Sequence, residues 1–231
     1  AQNNLEQAFR DCFDKKRLKR HGFPKFKSAK RGRRSYTTNN QKGTVAITGN
    51  GIRLPKTGVV KAKLHRLPED GWVIKTATIS CDSCGDYYIS VLFEYGCATV
   101  PVTPDADRAA GLDFSVPYLY VDNNGNKGSD VKYYRSAMRK LAREQRRLSR
   151  MQGSRKGEAK SRNWHKQNIK VNRIYRHIAN RRLDHLHKKS RELAETYDII
   201  GIEDISVTDM LCSHRFRRYR RSVLDNGWSL F

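Results

Sequence analysis

Two short apolar runs about ninety residues apart, each closing on a carboxylate, constrain this chain most. The first is Ala109-Ala110-Gly111-Leu112-Asp113-Phe114-Ser115-Val116. The second is Tyr197-Asp198-Ile199-Ile200-Gly201-Ile202-Glu203-Asp204. Both have the length and apolar continuity of a buried strand. Between them lie Tyr118-Leu119-Tyr120-Val121, read as a second strand turning at Asn123-Asn124-Gly125, and two long stretches of helical periodicity. If the first and last strands lie side by side, Asp113 and Glu203 meet across them. Two carboxylates held together repel unless a divalent cation lies between, and an all-oxygen donor set suits Mg²⁺ or Mn²⁺. Asp113 and Glu203 are therefore the candidate catalytic and metal-ligating pair. The plainer alternative is that Asp113 caps a turn and Glu203-Asp204 ends a strand and opens a helix, where acids are favoured.

These acids stand against a strongly basic background, with 47 Lys and Arg against 23 Asp and Glu and a net charge of +24 over 231 residues. That length allows one large or two modest domains. The charge points to a nucleic-acid partner, with a basic membrane-surface protein as the competing class. No apolar run approaches the roughly 18 residues that a membrane span needs, and no signal peptide is visible. Five scattered cysteines do not form a secreted disulfide framework and predict a reducing, cytoplasmic setting.

Along the chain, residues 4 to 20 predict a helix. Residues 15 to 34 carry eleven Lys or Arg interleaved with Phe23, Pro24 and Phe26. They read either as a solvated basic loop or as a clamp on phosphates, with Lys15, Lys16, Arg17, Lys19, Arg20, Lys25, Lys27, Arg33 and Arg34 as the candidate contacts. From Ser35 to about Val102 the pattern is β. The expected strands are 43–48, 51–54, 59–64, 72–80 and 87–95, separated by Gly and Pro turns. Strands this short at this spacing predict a small barrel, with Lys61, Lys63, His65, Arg66 and Lys75 offering one face to phosphate. Cys81-Asp82-Ser83-Cys84 has the spacing of half a zinc knuckle, but no second pair follows and the hairpin-turn reading is favoured. Residues 101 to 108 read as a linker.

Val131, Tyr134, Met138, Leu141 and Leu148 mark one helical stripe; Trp164, Val171, Ile174, Ile178, Leu186 and Leu193 mark another, with Gly153 and Gly157 between them. Residues 132 to 191 hold twenty-one Lys or Arg and three acids. Salt-bridged surface helices alternate sign, so one-signed faces predict contact with nucleic acid through Arg139, Arg143, Arg147, Lys166, Arg173, Arg181 and Arg182. Ser213–Arg221 adds five arginines, and an amphipathic piece runs from Val223 to Phe231.

Several stretches together resemble the TnpB family of transposon-encoded, RNA-guided DNA endonucleases, relatives of the type V CRISPR effectors. Gly22-Phe23-Pro24-Lys25-Phe26-Lys27 with Ser35-Tyr36 resembles the basic approach to that family's wedge domain. Ile52-Arg53-Leu54-Pro55-Lys56-Thr57-Gly58 resembles its Leu-Pro-Lys-x-Gly segment, which adds Lys56 to the candidate nucleic-acid contacts. Gly111-Leu112-Asp113 resembles the first RuvC motif. Asn180-Arg181-Arg182-Leu183-Asp184-His185-Leu186-His187-Lys188-Lys189-Ser190 resembles the helix before the second motif, and Ile202-Glu203-Asp204-Ile205 that motif itself. Gly227-Trp228 matches a family Gly-Trp pair. Ser115 departs from a Gly common two residues after the first Asp.

The resemblance implies an α+β chain in three parts: residues 1–34, a helix and basic segment contacting nucleic acid; 35–104, a basic wedge-like β-barrel; and 105–231, an incomplete RNase H-like (RuvC) α/β domain with long basic helices. It also implies Mg²⁺- or Mn²⁺-dependent cleavage of target DNA directed by a guide RNA, in the cytoplasm or nucleoid of a prokaryote and without a membrane. The family's third catalytic Asp and its four-cysteine Zn²⁺ finger have no counterpart before Phe231. The chain opens without Met inside a helical pattern and stops inside an apolar one, which predicts a piece of a longer protein and weak or absent cleavage by this piece alone. A non-catalytic nucleic-acid-binding remnant and a ribonucleoprotein component stay open as alternatives.

Overall fold

The computed structural model describes residues 2–14, 22–25, 34–96, 103–116, 118–129, 131–155, 157–214 and 217–231. The chain divides into two compact units, Ala1–Thr99 and Val100–Phe231.

The first unit opens with α1 (Gln2–Phe13). Phe9 of this helix stacks on Phe13 and meets Phe23 edge-on. Two three-stranded antiparallel sheets follow. One has the order β1 (Ser35–Asn39), β5 (Val73–Cys81), β6 (Tyr87–Glu94); the other runs β2 (Ala46–Thr48), β3 (Gly51–Leu54), β4 (Gly58–Lys61). Their facing sides bury Val45, Ile52, Leu54 and Ala77, with Ile74, Ile79, Ile89 and Val91 packed around them. The opposite side of the first sheet carries Thr37, Thr78 and Ser90 beside the exposed Leu92 and Tyr88, and Thr37 and Thr78 hydrogen-bond across it at 2.9 Å. Asn40 pins the connection between the sheets. Its side chain donates to the Ile74 carbonyl at 3.0 Å and accepts from the Val45 N–H at 2.9 Å. Gly51 is obligatory, because a Cβ there would sit 2.1 Å from the Val60 carbonyl oxygen.

The expected barrel does not form. Among the described residues no ladder joins the two sheets. The second sheet's strands are only three or four residues long. The expected strand 59–64 ends at Lys61, and the stretch from there to Trp72 is irregular and contains Pro68, which has no N–H to donate. No strand therefore crosses the gap. At the Cys-x-x-Cys segment the Asp82 carboxylate accepts from the Cys84 and Asp86 N–H groups at 2.8 and 2.9 Å and builds the β5–β6 turn.

The second unit is a three-stranded sheet with helices on one side. Its order is β8 (Val121–Asp122), β7 (Ala109–Asp113), β9 (Ile199–Ile202), with β7 antiparallel to β8 and parallel to β9. Tyr118–Val121 forms a hairpin arm rather than a full strand. Leu119 donates to the Ser129 carbonyl and Tyr120 accepts from Gly128, around the turn at Gly125. The crossover from β7 to β9 is made by α2 (Tyr133–Ser149) and α3 (Arg162–Thr196). Ser161 starts α3 by accepting from the Trp164 N–H at 3.1 Å. At 35 residues α3 is about 52 Å long. Its first half packs on α2 along Leu141, Val171 and Ile178, where Gln167 donates to the Glu144 carboxylate at 2.8 Å. Its second half covers the sheet, burying Leu186 and Leu193 with Ala110, Leu112, Val223 and Trp228. Arg108 closes the crossover by donating to the Glu195 and Thr196 carbonyls and pairing with Asp198 at 3.0 Å. Two short helices, α4 (Val207–Cys212) and α5 (Arg220–Asn226), follow β9. Among the described residues no helix is long and apolar enough to cross a membrane.

Candidate functional site

Alternation along β7 sends Ala110 and Leu112 into the core and leaves Gly111 and Asp113 exposed. The parallel ladder between β7 and β9 runs from Ala109↔Ile199 to Leu112↔Ile202. Asp113 and Glu203 are the next residue on each strand, at the carboxyl ends of neighbouring strands that run about 4.8 Å apart. Open α/β sheets place their ligands outside the carboxyl ends of the strands. Both side chains are exposed, and among the described residues neither is paired with a Lys or Arg. Two adjacent, uncompensated carboxylates offer hard oxygen donors, which fits a cation such as Mg²⁺ that binds through one or two carboxylates and keeps waters for the remaining positions. Among the described residues no group of three or more His, Cys, Asp or Glu converges.

The predicted cationic contacts fall in three settings. Lys15, Lys16, Arg17, Lys19, Arg20, Lys27 and Arg33 lie outside the described residues. Lys25, Arg34 and Lys56 are exposed in the first unit, Lys56 at a turn with φ of 67°. Lys75, a possible phosphate contact by its position, is instead paired with Glu94. In the second unit Arg139, Arg143 and Arg147 do converge. They line a groove of about 1090 Å³ together with Arg146, Arg150 and Arg221, over a floor that includes Met138, Ala142 and Met151. Spacings of three and four put these arginines on one face of α2, whereas Arg221 arrives from α5. Among the described residues no acid lines the groove. Lys166, Arg173 and Arg181 are exposed along α3, with the Arg181 guanidinium over the Tyr133 ring. Arg182 points inward, as described below.

A groove of this kind would hold a nucleic-acid backbone through counterion release, with an affinity that falls steeply as salt rises. Replacing Arg139, Arg143 and Arg147 together with Ala should flatten the slope of log K against log salt by about 2 for a single strand. A slope unchanged in fluorescence-anisotropy titrations would remove these residues from the interface.

The family described as "Probable transposase", OrfB_IS605, matches residues 91–213. The chain belongs to the OrfB_IS605 family. The relatives agree with that assignment. It is 35% identical over 237 aligned positions to "Putative RNA-guided DNA endonuclease InsQ" of Escherichia coli (strain K12), an alignment covering 97% of this chain and 55% of that protein. It is 30% identical to "Putative RNA-guided DNA endonuclease" of Streptomyces pristinaespiralis, covering 99% of this chain and 53% of that one. The chain thus spans about half the length of the curated relatives it matches, and its TnpB-type motifs sit in a TnpB-like family.

The stretch matched to the OrfB_IS605 family carries both acids and the α2 arginines. The residues that hold these parts together lie beyond it. Asp225, 3% exposed, accepts from the Tyr134 and Arg135 N–H groups at 2.8 and 3.1 Å and from the Arg182 guanidinium at 3.2 Å. It therefore caps α2 from outside, where the Lys132 side chain at the N-cap makes no capping bond. Asn226 accepts from Lys132 and donates to the Tyr118 and Ser115 carbonyls, the latter two residues after Asp113. Trp228 donates its indole N–H to Leu119 at 2.8 Å. Gly227 has φ of 75°, and a Cβ there would meet Arg182 Cδ at 2.8 Å. No local sequence signal marks Asp225 as a cap, because its partners are about ninety residues away.

His185 packs beside Tyr133 near this cluster. Burial holds its pKa below the usual imidazole value, with Lys189 nearby acting in the same direction. A depressed histidine pKa means the unfolded chain takes up the proton first, so stability present above about pH 6.5 is lost as pH falls toward the folded-state value. Thermal melts should show Tm dropping between pH 7.5 and 5.5, with the drop reduced in His185→Gln. An equal drop in that variant would assign it elsewhere.

Proposed function

We propose that this chain is the core of an RNA-guided DNA endonuclease, with the second unit forming a RuvC-type, RNase H-like nuclease fold around Asp113 and Glu203. One observation carries the proposal: the parallel register that ends at Leu112↔Ile202 and leaves the two carboxylates adjacent at the strand ends. Asp113 and Glu203 hold a divalent cation through oxygen donors and leave positions open for water and a phosphate. When bound there, Mg²⁺ supplies Lewis-acid stabilisation for phosphodiester hydrolysis. The arginines of α2 and Arg221 hold a nucleic-acid backbone by charge, a contact that carries no sequence information. Base pairing to a guide RNA supplies the specificity in that class of enzyme. The sequence relatives named as RNA-guided DNA endonucleases support this reading of both partners.

The two-ligand character of the site favours one second reading, a nucleic-acid-binding protein without cleavage. The protein expressed from its complete reading frame, loaded with its guide RNA, should cut a matched DNA in Mg²⁺, lose cutting in EDTA and regain it on adding Mg²⁺. Cleavage indifferent to EDTA would contradict a metal-dependent nuclease; tight binding with no cleavage in Mg²⁺ would favour the second reading.

A further inference from the structure

The irregular stretch between β4 and β5 leaves the first unit's two sheets open on one side, and a cavity of about 410 Å³ remains there. Its walls include Ile52, Ile89 and Phe93, and its rim carries Lys63, His65 and Arg66. Trp72 and Phe93 line it, and Tyr95 adjoins it through its stack on Trp72. Trp72 stacks on Tyr95 with ring centroids 4.6 Å apart and planes 11° apart, and tilts against Phe93 at 5.6 Å. The Arg66 guanidinium lies 5.9 Å from the Trp72 centroid. Tyr95 is 54% exposed.

We propose that this cavity takes one unpaired nucleobase of a single-stranded RNA, with Lys63 and Arg66 on the flanking phosphates. The inference rests on the reading that the chain binds RNA. Three features select the occupant. The walls are apolar and the opening is aromatic, so a flat ring gains both burial and stacking. The rim is cationic and among the described residues no acid lines the cavity, which suits a ring tied to phosphates and disfavours a cationic or plain apolar peptide. The volume admits one base, and a base held in a duplex cannot be presented to a recess, whereas unpaired bases are taken up by aromatic and arginine planes.

The test uses the whole chain and a short single-stranded RNA carrying one 2-aminopurine, whose fluorescence falls when it stacks. The wild type should quench the probe. Tyr95→Ala, at an exposed position that leaves the core intact, should relieve the quenching and weaken binding about tenfold at fixed salt, without altering the salt slope. Lys63→Ala with Arg66→Ala should instead flatten that slope by about 1.4. The same RNA annealed to its complement should show no Tyr95 dependence. Tight RNA binding with quenching and affinity indifferent to Tyr95→Ala overturns the pocket and leaves the RNA-binding reading standing. Absence of RNA binding by the wild type overturns both. A Tyr95-dependent response to a single DNA strand of the same sequence, with none to the RNA, also overturns the proposal, since the occupant would not be RNA.

Discussion

Asp225→Ala should destabilise the second unit by about 3–5 kcal/mol. Two separate losses combine. The Arg182 guanidinium, about 20% exposed, keeps its burial and loses its carboxylate partner at 3.2 Å. The Tyr134 and Arg135 N–H groups at the start of α2 lose the carboxylate that accepts from both. A lost cap by itself costs about 1 kcal/mol, so a result near that value would mean that the ion pair contributes little. Asp225→Asn should fall between, because it retains an acceptor oxygen and discards the charge. Chemical denaturation measures all three proteins, and a loss below about 1 kcal/mol for the alanine variant would contradict the role given to Asp225. The effect should also reach the arginine groove, since α2 is anchored at its N-terminal end by this carboxylate.

Asp113→Ala or Glu203→Ala should each lower DNA cleavage by the complete, guide-loaded protein by about a thousandfold. A bound divalent ion is worth several kcal/mol of transition-state stabilisation, and each 1.36 kcal/mol is tenfold in rate. Residues that hold one ion act as a unit, so the double variant should be no worse than either single one. Guide-RNA affinity should change little, because neither carboxylate lies in the basic groove. Arg143→Ala should behave in the opposite way, weakening binding several-fold while sparing the rate of the bound complex. Normal cutting by either acid variant would dissociate the acid pair from catalysis.

Much of the second unit could be read before its structure. The two apolar runs and the two helical stripes parted by Gly153 and Gly157 follow from local periodicity, and β7, β9, α2 and α3 fall on them. The adjacency of Asp113 and Glu203 follows from strand order once the crossover is recognised. What escaped depends on distant partners. Arg182 looks like its exposed neighbour Arg181 in sequence, yet one turns into the core because Asp225 meets it there. Arg221 joins the α2 arginines only through the packing of α5 on α2. In the first unit, β1 is a polar Ser-Tyr-Thr-Thr-Asn run that pairs because β5 offers an edge. The barrel failed because closure needs a ladder between the ends of the set, and no short-range signal reports that ladder's absence.

The proposed metal site can be tested without any nucleic acid. Titration of Mn²⁺ into the chain, followed by the loss of the free-ion electron paramagnetic resonance signal, should show one bound ion at millimolar or lower concentration, displaced by Mg²⁺. Asp113→Asn combined with Glu203→Gln, which removes both charges with little change of shape, should abolish that binding while leaving the thermal melt unchanged. Equal Mn²⁺ uptake by the wild type and the double variant would contradict the assignment of these two carboxylates as the metal-holding pair.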